Sequence, residues 1–199
     1  MRLILASASP RRKEILASAG LDFEVRPSAI DEAPLAGERP EDYARRVARD
    51  KALDVAANAH PGSVVLGADT IVLSDGEILG KPRDAADAVR MLRMLSGVSH
   101  QVITGVCLVR ALAELVDLTH ETTAVTFRDL DEEEIASYVA SGEPLDKAGA
   151  YGIQGLASKF VTRVEGCYFN VVGLPVALVY DLLKPFFHDG EQSAGCCGL

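Results

Sequence analysis

The stretch that most constrains this sequence is residues 64–73, Val-Val-Leu-Gly-Ala-Asp-Thr-Ile-Val-Leu, an almost unbroken apolar run with one carboxylate, Asp69, in its middle. A half-exposed strand alternates apolar and polar residues, whereas a strand covered on both faces reads as a continuous apolar run. The run therefore predicts a central strand in a sheet flanked by helices. An ionisable side chain in such a strand must lie at the strand's end, face a cleft or bind a cation, because burying an unpaired charge is very costly.

The surrounding pattern supports that architecture. Residues 3–6 read as a short buried strand, with Ser9 as N-cap and Pro10 at the first position of a helix that Gly20 closes. A second strand at 23–26 leads into a loop, 27–39, that carries Asp31 and Glu32. Pro40 then opens a helix to about Asn58, in which Tyr43, Val47, Ala48, Leu53 and Val55 are only loosely periodic. Beyond the central run, Ser74, Asp75 and Gly76 mark a turn, and a helix from Asp84 to Leu95 is broken by Ser96 and Gly97. Two β-branched strands follow at 101–109 and 118–127. Asp131 and Glu134 form a capping box for a helix to about Ser141, residues 160–164 read as a strand, and Pro175 begins a final apolar helix. Alternating strands and helices predict an α/β fold with a mixed sheet. Residues 1–187 read as one domain, and 188–199, with Cys196 and Cys197, as a flexible tail.

Composition narrows the function. With 199 residues, 48% of them hydrophobic, the chain can build a sizeable core. No apolar run approaches the roughly eighteen residues of a membrane span. The N-terminal apolar stretch is too short for a signal peptide, so a cytoplasmic protein is expected. Cys107, Cys167, Cys196 and Cys197 show no CxxC spacing, and His60, His100, His120 and His188 are scattered, which argues against zinc and disulfide frameworks. A net charge of −9 weighs against nucleic-acid binding. A small anionic ligand would need a local cluster of positive charge or a metal.

Four segments can supply that chemistry. At residues 7–13, Ser-Ala-Ser-Pro-Arg-Arg-Lys, a strand ends where a helix begins, so backbone N–H groups and the helix dipole favour an anion before Arg11 and Arg12 add their guanidinium forks. Asp69, with Thr70 beside it and Glu32 or Asp31 as partners, offers the oxygen ligands a hard cation prefers. Gly80-Lys81-Pro82 is not a P-loop, since Pro82 replaces the metal-holding Ser or Thr, yet Lys81 can still reach a phosphate as a point charge. Residues 146–155 gather three glycines around Lys147, Tyr151 and Gln154. The Gln154 amide both donates and accepts, so it can read the O4 acceptor and N3–H donor of uracil or thymine, where cytosine presents the opposite pattern.

Together, LASASPRR at 5–12, GADT at 67–70, LGKP at 79–82 and KAGAYGIQG at 147–155 resemble the Maf family of nucleotide pyrophosphatases. The resemblance implies an elongated α/β fold like that of the inosine triphosphate pyrophosphatases, with a central cleft between two lobes, commonly in a homodimer. It also implies hydrolysis of a nucleoside triphosphate to the monophosphate and pyrophosphate, with Mg²⁺ or Mn²⁺ as cofactor. The YGIQG segment is similar to the subfamily acting on dTTP and UTP, and modified pyrimidine nucleotides remain open as substrates. On this resemblance Asp69 corresponds to the catalytic proton acceptor and, with Glu32, to a metal ligand. Arg12, Thr70 and Gln154 match positions associated with base choice, while Ser9, Arg11, Lys51, Lys81 and Lys147 are expected around the substrate. The rival expectation is a nucleotide-binding regulator of septum formation without catalytic activity.

Overall fold

A computed structural model of the chain describes residues 1–111 and 114–188. Three strands, β1 (Arg2–Leu5), β2 (Phe23–Val25) and β3 (Ser63–Ser74), form its parallel part, β1 pairing with β2 on one side and with β3 on the other. The rest is antiparallel: β4 (Glu77–Leu79) folds back on β3, and β5 (Ser99–Arg110), β6 (Glu114–Phe127) and β7 (Val161–Glu165) continue the sheet in the order β2-β1-β3-β5-β6-β7. Among the described residues six α-helices flank it: α1 (Pro10–Ser18), α2 (Pro40–Ala56), α3 (Ala85–Leu95), α4 (Glu132–Ala140), α5 (Tyr168–Val172) and α6 (Val176–His188). No helix among the described residues is long and apolar enough to cross a membrane.

The two-residue period of β3 divides the core. Val64, Leu66 and Ala68 pack with Leu3, Leu5, Leu16, Val179 and Leu183 under α1 and α6. Farther along the same face, Val72 joins a second core with Met91, Leu92, Leu95, Ile135 and Phe160 under α3 and α4. The alternate residues Val65 and Ile71 turn to the opposite face, against α2. Each fully buried Leu or Ile contributes about 1.5–3 kcal/mol over exposure, so these clusters fix which face each β3 residue takes.

Helix α2 explains why its periodicity is faint in the sequence. Its buried stripe is Tyr43, Ala44, Val47, Ala48, Lys51, Ala52, Val55 and Ala56, mostly small residues, and it lies directly on two sheet glycines. A Cβ on Gly67 would stand 2.1 Å from the Ala48 carbonyl oxygen, and one on Gly105 would stand 2.1 Å from that of Ala44. Glycine in the sheet and alanine on the helix together allow a backbone-to-backbone approach, which sets Lys51 opposite Asp69.

Most predicted elements hold, with differences at their edges. The antiparallel strands β5 and β6 run longer than predicted because their ends pair with each other. Strand β4, helix α5 and the short 3-10 turns at Glu143–Asp146, Ala148–Ala150 and Leu156–Phe160 are too brief to leave a periodic signal. His188 ends α6 rather than opening the tail, since Pro175 starts an apolar helix long enough to reach it. Cys196 and Cys197 lie outside the described residues.

Gly105→Ala is expected to destabilise the protein by about 1–3 kcal/mol, because the new methyl group meets backbone rather than a side chain that can swing away. Gly80→Ala, where a Cβ meets nothing within 4 Å, should stay within about 0.5 kcal/mol of wild type. Urea unfolding midpoints of the two variants, compared at unchanged slope, check the contrast.

Candidate active site

The sheet is left unfinished at one place. On the outer edge of β3, β1 pairs with residues 63–66 and β4 with residues 72–74. Between them, residues 67–71 pair only with β5 on the inner side. The C-terminal end of β1 and the N-terminus of α1 converge on this gap, and a cavity of about 610 Å³ opens there. The ends of parallel strands and the start of the following helix are where open α/β sheets place ligands.

At the α1 side, the sequence Ser-Pro after a buried strand stops β1 and starts the helix in one step. Ser9 caps it, its Oγ accepting the Arg12 N–H at 3.5 Å, with Pro10 at the first turn. Arg12 points inward and is buried: its Nε donates to the Gly173 carbonyl at 2.9 Å, Nη1 to Ser7 Oγ at 3.1 Å and Nη2 to Thr70 Oγ1 at 3.0 Å. Burial pushes this guanidinium below its ordinary value, and the nearby charges of Asp69 and Glu32 oppose the shift. It remains a cation, since arginine does not deprotonate in proteins. Three of its five N–H groups are held by the protein, so Arg12 also ties α1 to β3 and to the turn before α6. Arg11 is more exposed and its Nη1 meets Asp146 Oδ2 at 3.4 Å across the cavity mouth.

Asp69 lies on the α2 face of β3, in the row of Gly67 and Ile71, with 10% of its side chain exposed. Lys51 Nζ donates to Asp69 Oδ1 at 2.7 Å and also meets Glu32 Oε1 at 2.9 Å, so one ammonium bridges two carboxylates. Among the described residues no hydrogen bond reaches Asp69 Oδ2, which leaves that oxygen to accept a proton or bind a cation. Tyr43 Oη donates to the Glu32 carbonyl at 2.8 Å and holds the 27–39 loop against α2. Burial, then the charges of Asp69 and Glu32, push the Tyr43 phenol up to about 12, so it stays a donor at neutral pH. Asp31 takes a different course: its carboxylate accepts the Ala33 N–H at 3.0 Å, and it does not line the cavity.

The far wall is the segment 147–155. Gly149 and Ala150 both adopt positive φ, 68° and 58°. For alanine that conformation costs on the order of 1 kcal/mol, and buried surroundings sustain it. Gly149 lies so close to Val72 that a Cβ would stand 2.8 Å from its Cγ2, and its N–H donates to the Gly80 carbonyl at 3.1 Å, which joins this segment to the turn carrying Lys81. Lys147 Nζ donates to the Glu143 carbonyl at 2.7 Å and to Asp146 Oδ1 at 2.6 Å. Tyr151 is buried in the second core, Ile153 packs against the first, and Gln154 is exposed and lines the cavity.

The structure thus brings Ser9, Arg11, Arg12, Glu32, Lys51, Asp69, Thr70, Lys81, Lys147 and Gln154 around one cavity. With Asp146, five cationic side chains face three carboxylates there, a local positive excess in a chain of net charge −9. Sequence reasoning missed Tyr43 as a member of the wall, and it gave Ser7 and Asp146 no role of their own although each opens a segment it singled out. A divalent cation fits the donor set in chemical terms, since Asp69 and Glu32 already converge on one positive charge, that of Lys51. Magnesium commonly takes one or two carboxylates and completes its shell with phosphate oxygens and water. Among the described residues no group of three or more His, Cys, Asp or Glu side chains comes together to hold a metal without such a ligand.

An open mixed sheet with a cationic recess at a helix N-terminus, walled by a carboxylate paired to lysine, is the arrangement of an α/β protein suited to an anionic ligand. The chain belongs to the Maf-like protein family, whose model matches residues 2–186. It is 56% identical over 184 residues to a dTTP/UTP pyrophosphatase of Koribacter versatilis (strain Ellin345), covering 92% of this chain and 94% of that one. It is 55% identical over 183 residues to a dTTP/UTP pyrophosphatase of Geobacter sulfurreducens, covering 92% and 95%. Among solved structures, a HAM1 protein from Coxiella burnetii shares the fold at 14% identity and a TM-score of 0.52, covering 93% of this chain and 99% of that one.

One buried titratable group behind the cavity makes a pH prediction. Burial holds the His100 imidazole down to about 4, against about 6.5 when unfolded. Its folded value is the lower one, so the associated stability is present above about pH 6.5 and is lost as pH falls toward 4, up to about 3 kcal/mol. His100→Phe should flatten the fall in urea-unfolding free energy between pH 7 and pH 4.5 relative to wild type.

Proposed function

We propose that the protein is a nucleoside triphosphate pyrophosphatase that hydrolyses dTTP and UTP to the monophosphate and pyrophosphate. The observation that carries this reading is the meeting, in one cavity, of the Asp69–Lys51 pair, the capped and cationic start of α1, and the glycine-bearing segment that presents Gln154. The identity of over 50% to dTTP/UTP pyrophosphatases across nine-tenths of the chain supports the same substrates.

The polyphosphate enters where the negative end of a ligand is best received, at the α1 N-terminus with Ser9 and Arg11, and between Lys81 and Lys147 on the facing wall. Asp146, which now engages Arg11 and Lys147, yields those cations to the phosphates. Asp69 accepts a proton from a water at Oδ2 while Lys51 fixes its other oxygen. The water oxygen bonds to the α phosphorus, the bond from that phosphorus to the bridging oxygen breaks, and pyrophosphate leaves with the electron pair. Arg12, Lys51 and Lys81 stabilise the charge that develops, an effect of positioned electrostatics rather than of covalent catalysis. Glu32, and Asp69 while its Oδ2 carries no proton, would hold Mg²⁺ or Mn²⁺, which when bound supplies Lewis-acid polarisation of phosphate oxygens. Gln154 reads the base through O4 and N3–H. The reading includes a homodimer of single-domain chains acting on cytoplasmic nucleotides, with dTTP, UTP or a modified pyrimidine nucleotide as the cellular target.

Asp69→Asn keeps the shape of the side chain and leaves Glu32 to pair with Lys51, so the fold should persist while pyrophosphate release from dTTP and UTP drops at least a thousandfold. Near-normal turnover in that variant would refute the assignment, and nucleotide binding by wild type without release would favour a regulator. Chelating divalent ions should likewise abolish release, with Mg²⁺ or Mn²⁺ restoring it. Activity indifferent to chelation would remove Asp69 and Glu32 as metal ligands.

A further inference from the structure

His100 stands on β5 at 2% exposure, outside the cavity, and the mechanism above makes no use of it. It packs edge-to-face with two rings, Phe127 with centroids 5.0 Å apart and Tyr151 at 5.4 Å, while Phe127 and Tyr151 are themselves 4.8 Å apart. A phenylalanine would fill this place with apolar surface alone. What the imidazole adds is a single hydrogen bond, between Nε2 and the Tyr151 hydroxyl at 2.8 Å. It adds a cost as well, since Nδ1 is buried without a protein partner among the described residues. A buried polar group kept under those terms calls for an explanation.

The explanation lies in what Tyr151 begins. Its side chain is anchored in the second core, two residues later Ile153 enters the first core, and Gln154 follows at the cavity wall. The other end of the segment is clasped separately: both Glu143 oxygens accept the Leu156 N–H at 3.1 Å, and Tyr138 Oη steadies Glu143 Oε1 at 3.1 Å. Residues 152–155 are thus strung between two polar anchors.

We propose that His100 is a positioning residue for base selection: through the Tyr151 hydroxyl it sets the pose of residues 152–155, and so the alignment of the Gln154 amide with the pyrimidine edge. The inference rests on the reading of Gln154 given above. Discrimination between UTP and CTP requires the amide to present donor and acceptor in register, so a tilt of the segment lowers selectivity more than it lowers turnover.

The test compares His100→Phe, Tyr151→Phe, their double variant and His100→Gln, whose amide reaches about as far as Nε2. The kcat/KM ratio for UTP over CTP should fall about three- to tenfold in each single Phe variant, the worth of one hydrogen bond. It should fall no further in the double variant and recover in His100→Gln. Hydrogen exchange at the amides of residues 152–156 should quicken in both Phe variants while the β5 amides keep wild-type rates. An unchanged ratio with unchanged exchange, or additive losses in the double variant, overturns the proposal. Should His100→Phe fail to fold, Tyr151→Phe removes one oxygen only and carries the same readouts. Should wild type itself not prefer UTP, the Gln154 reading fails, and exchange at 152–156 still decides whether His100 holds the segment.

Discussion

The contact on which the rest of this structure depends is the one between α2 and the sheet beneath it. Because Gly67 and Gly105 have no side chains and α2 answers them with alanines, helix and strand meet backbone to backbone. That closeness lets a lysine one turn further along reach a carboxylate in the middle of a central strand. Two buried charges that would each be prohibitive alone satisfy one another, and a third group, Glu32, shares the same ammonium. Neutralising Asp69 still leaves Lys51 paired with Glu32, whereas removing Lys51 would leave two carboxylates uncompensated. The pair therefore constrains the sheet as much as it equips the cavity.

The fold was legible where apolar pattern and helix-end chemistry agree. The run at 64–73, the Ser-Pro start of α1 and the Asp131–Glu134 capping box each state their structure in a few residues, and the box is present with both of its hydrogen bonds. What stayed hidden had physical causes. Alanine contributes little to a hydrophobic pattern, so the buried stripe of α2 was faint and Lys51 did not stand out within it. The 3-10 turns of 143–160 are held by long-range contacts, such as Gly149 on Val72, that no local propensity encodes. For the site, separated motifs announced the participants but not their pairings. Nothing in the order of residues says that Arg12 turns inward to Gly173, or that Asp31 bonds its own loop while Glu32 turns to Lys51.

The cavity walls are built with unequal rigidity. On the α1 side Arg12 is fixed by buried, neutral acceptors, Ser7, Thr70 and Gly173. Arg11 on the same helix and Lys147 on the facing wall rest instead on an exposed carboxylate, Asp146, whose hold is weakened by solvent and salt. A polyanion thus meets one cation already set and two whose partner can be exchanged. Within the far wall, the segment carrying Gln154 is shared between two cores, Tyr151 packing in one and Ile153 against the other.

The outer edge of β3 at residues 67–71, where only the β5 side is paired, also bears on solubility. A bare sheet edge is a template on which another polypeptide can add itself, the first step of many aggregates. Here that edge amounts to five residues, about 16 Å of strand, recessed between β1 and β4. A stray chain would have to thread into a slot shorter than an ordinary strand, so the opening that admits a small ligand is too cramped to seed a fibril.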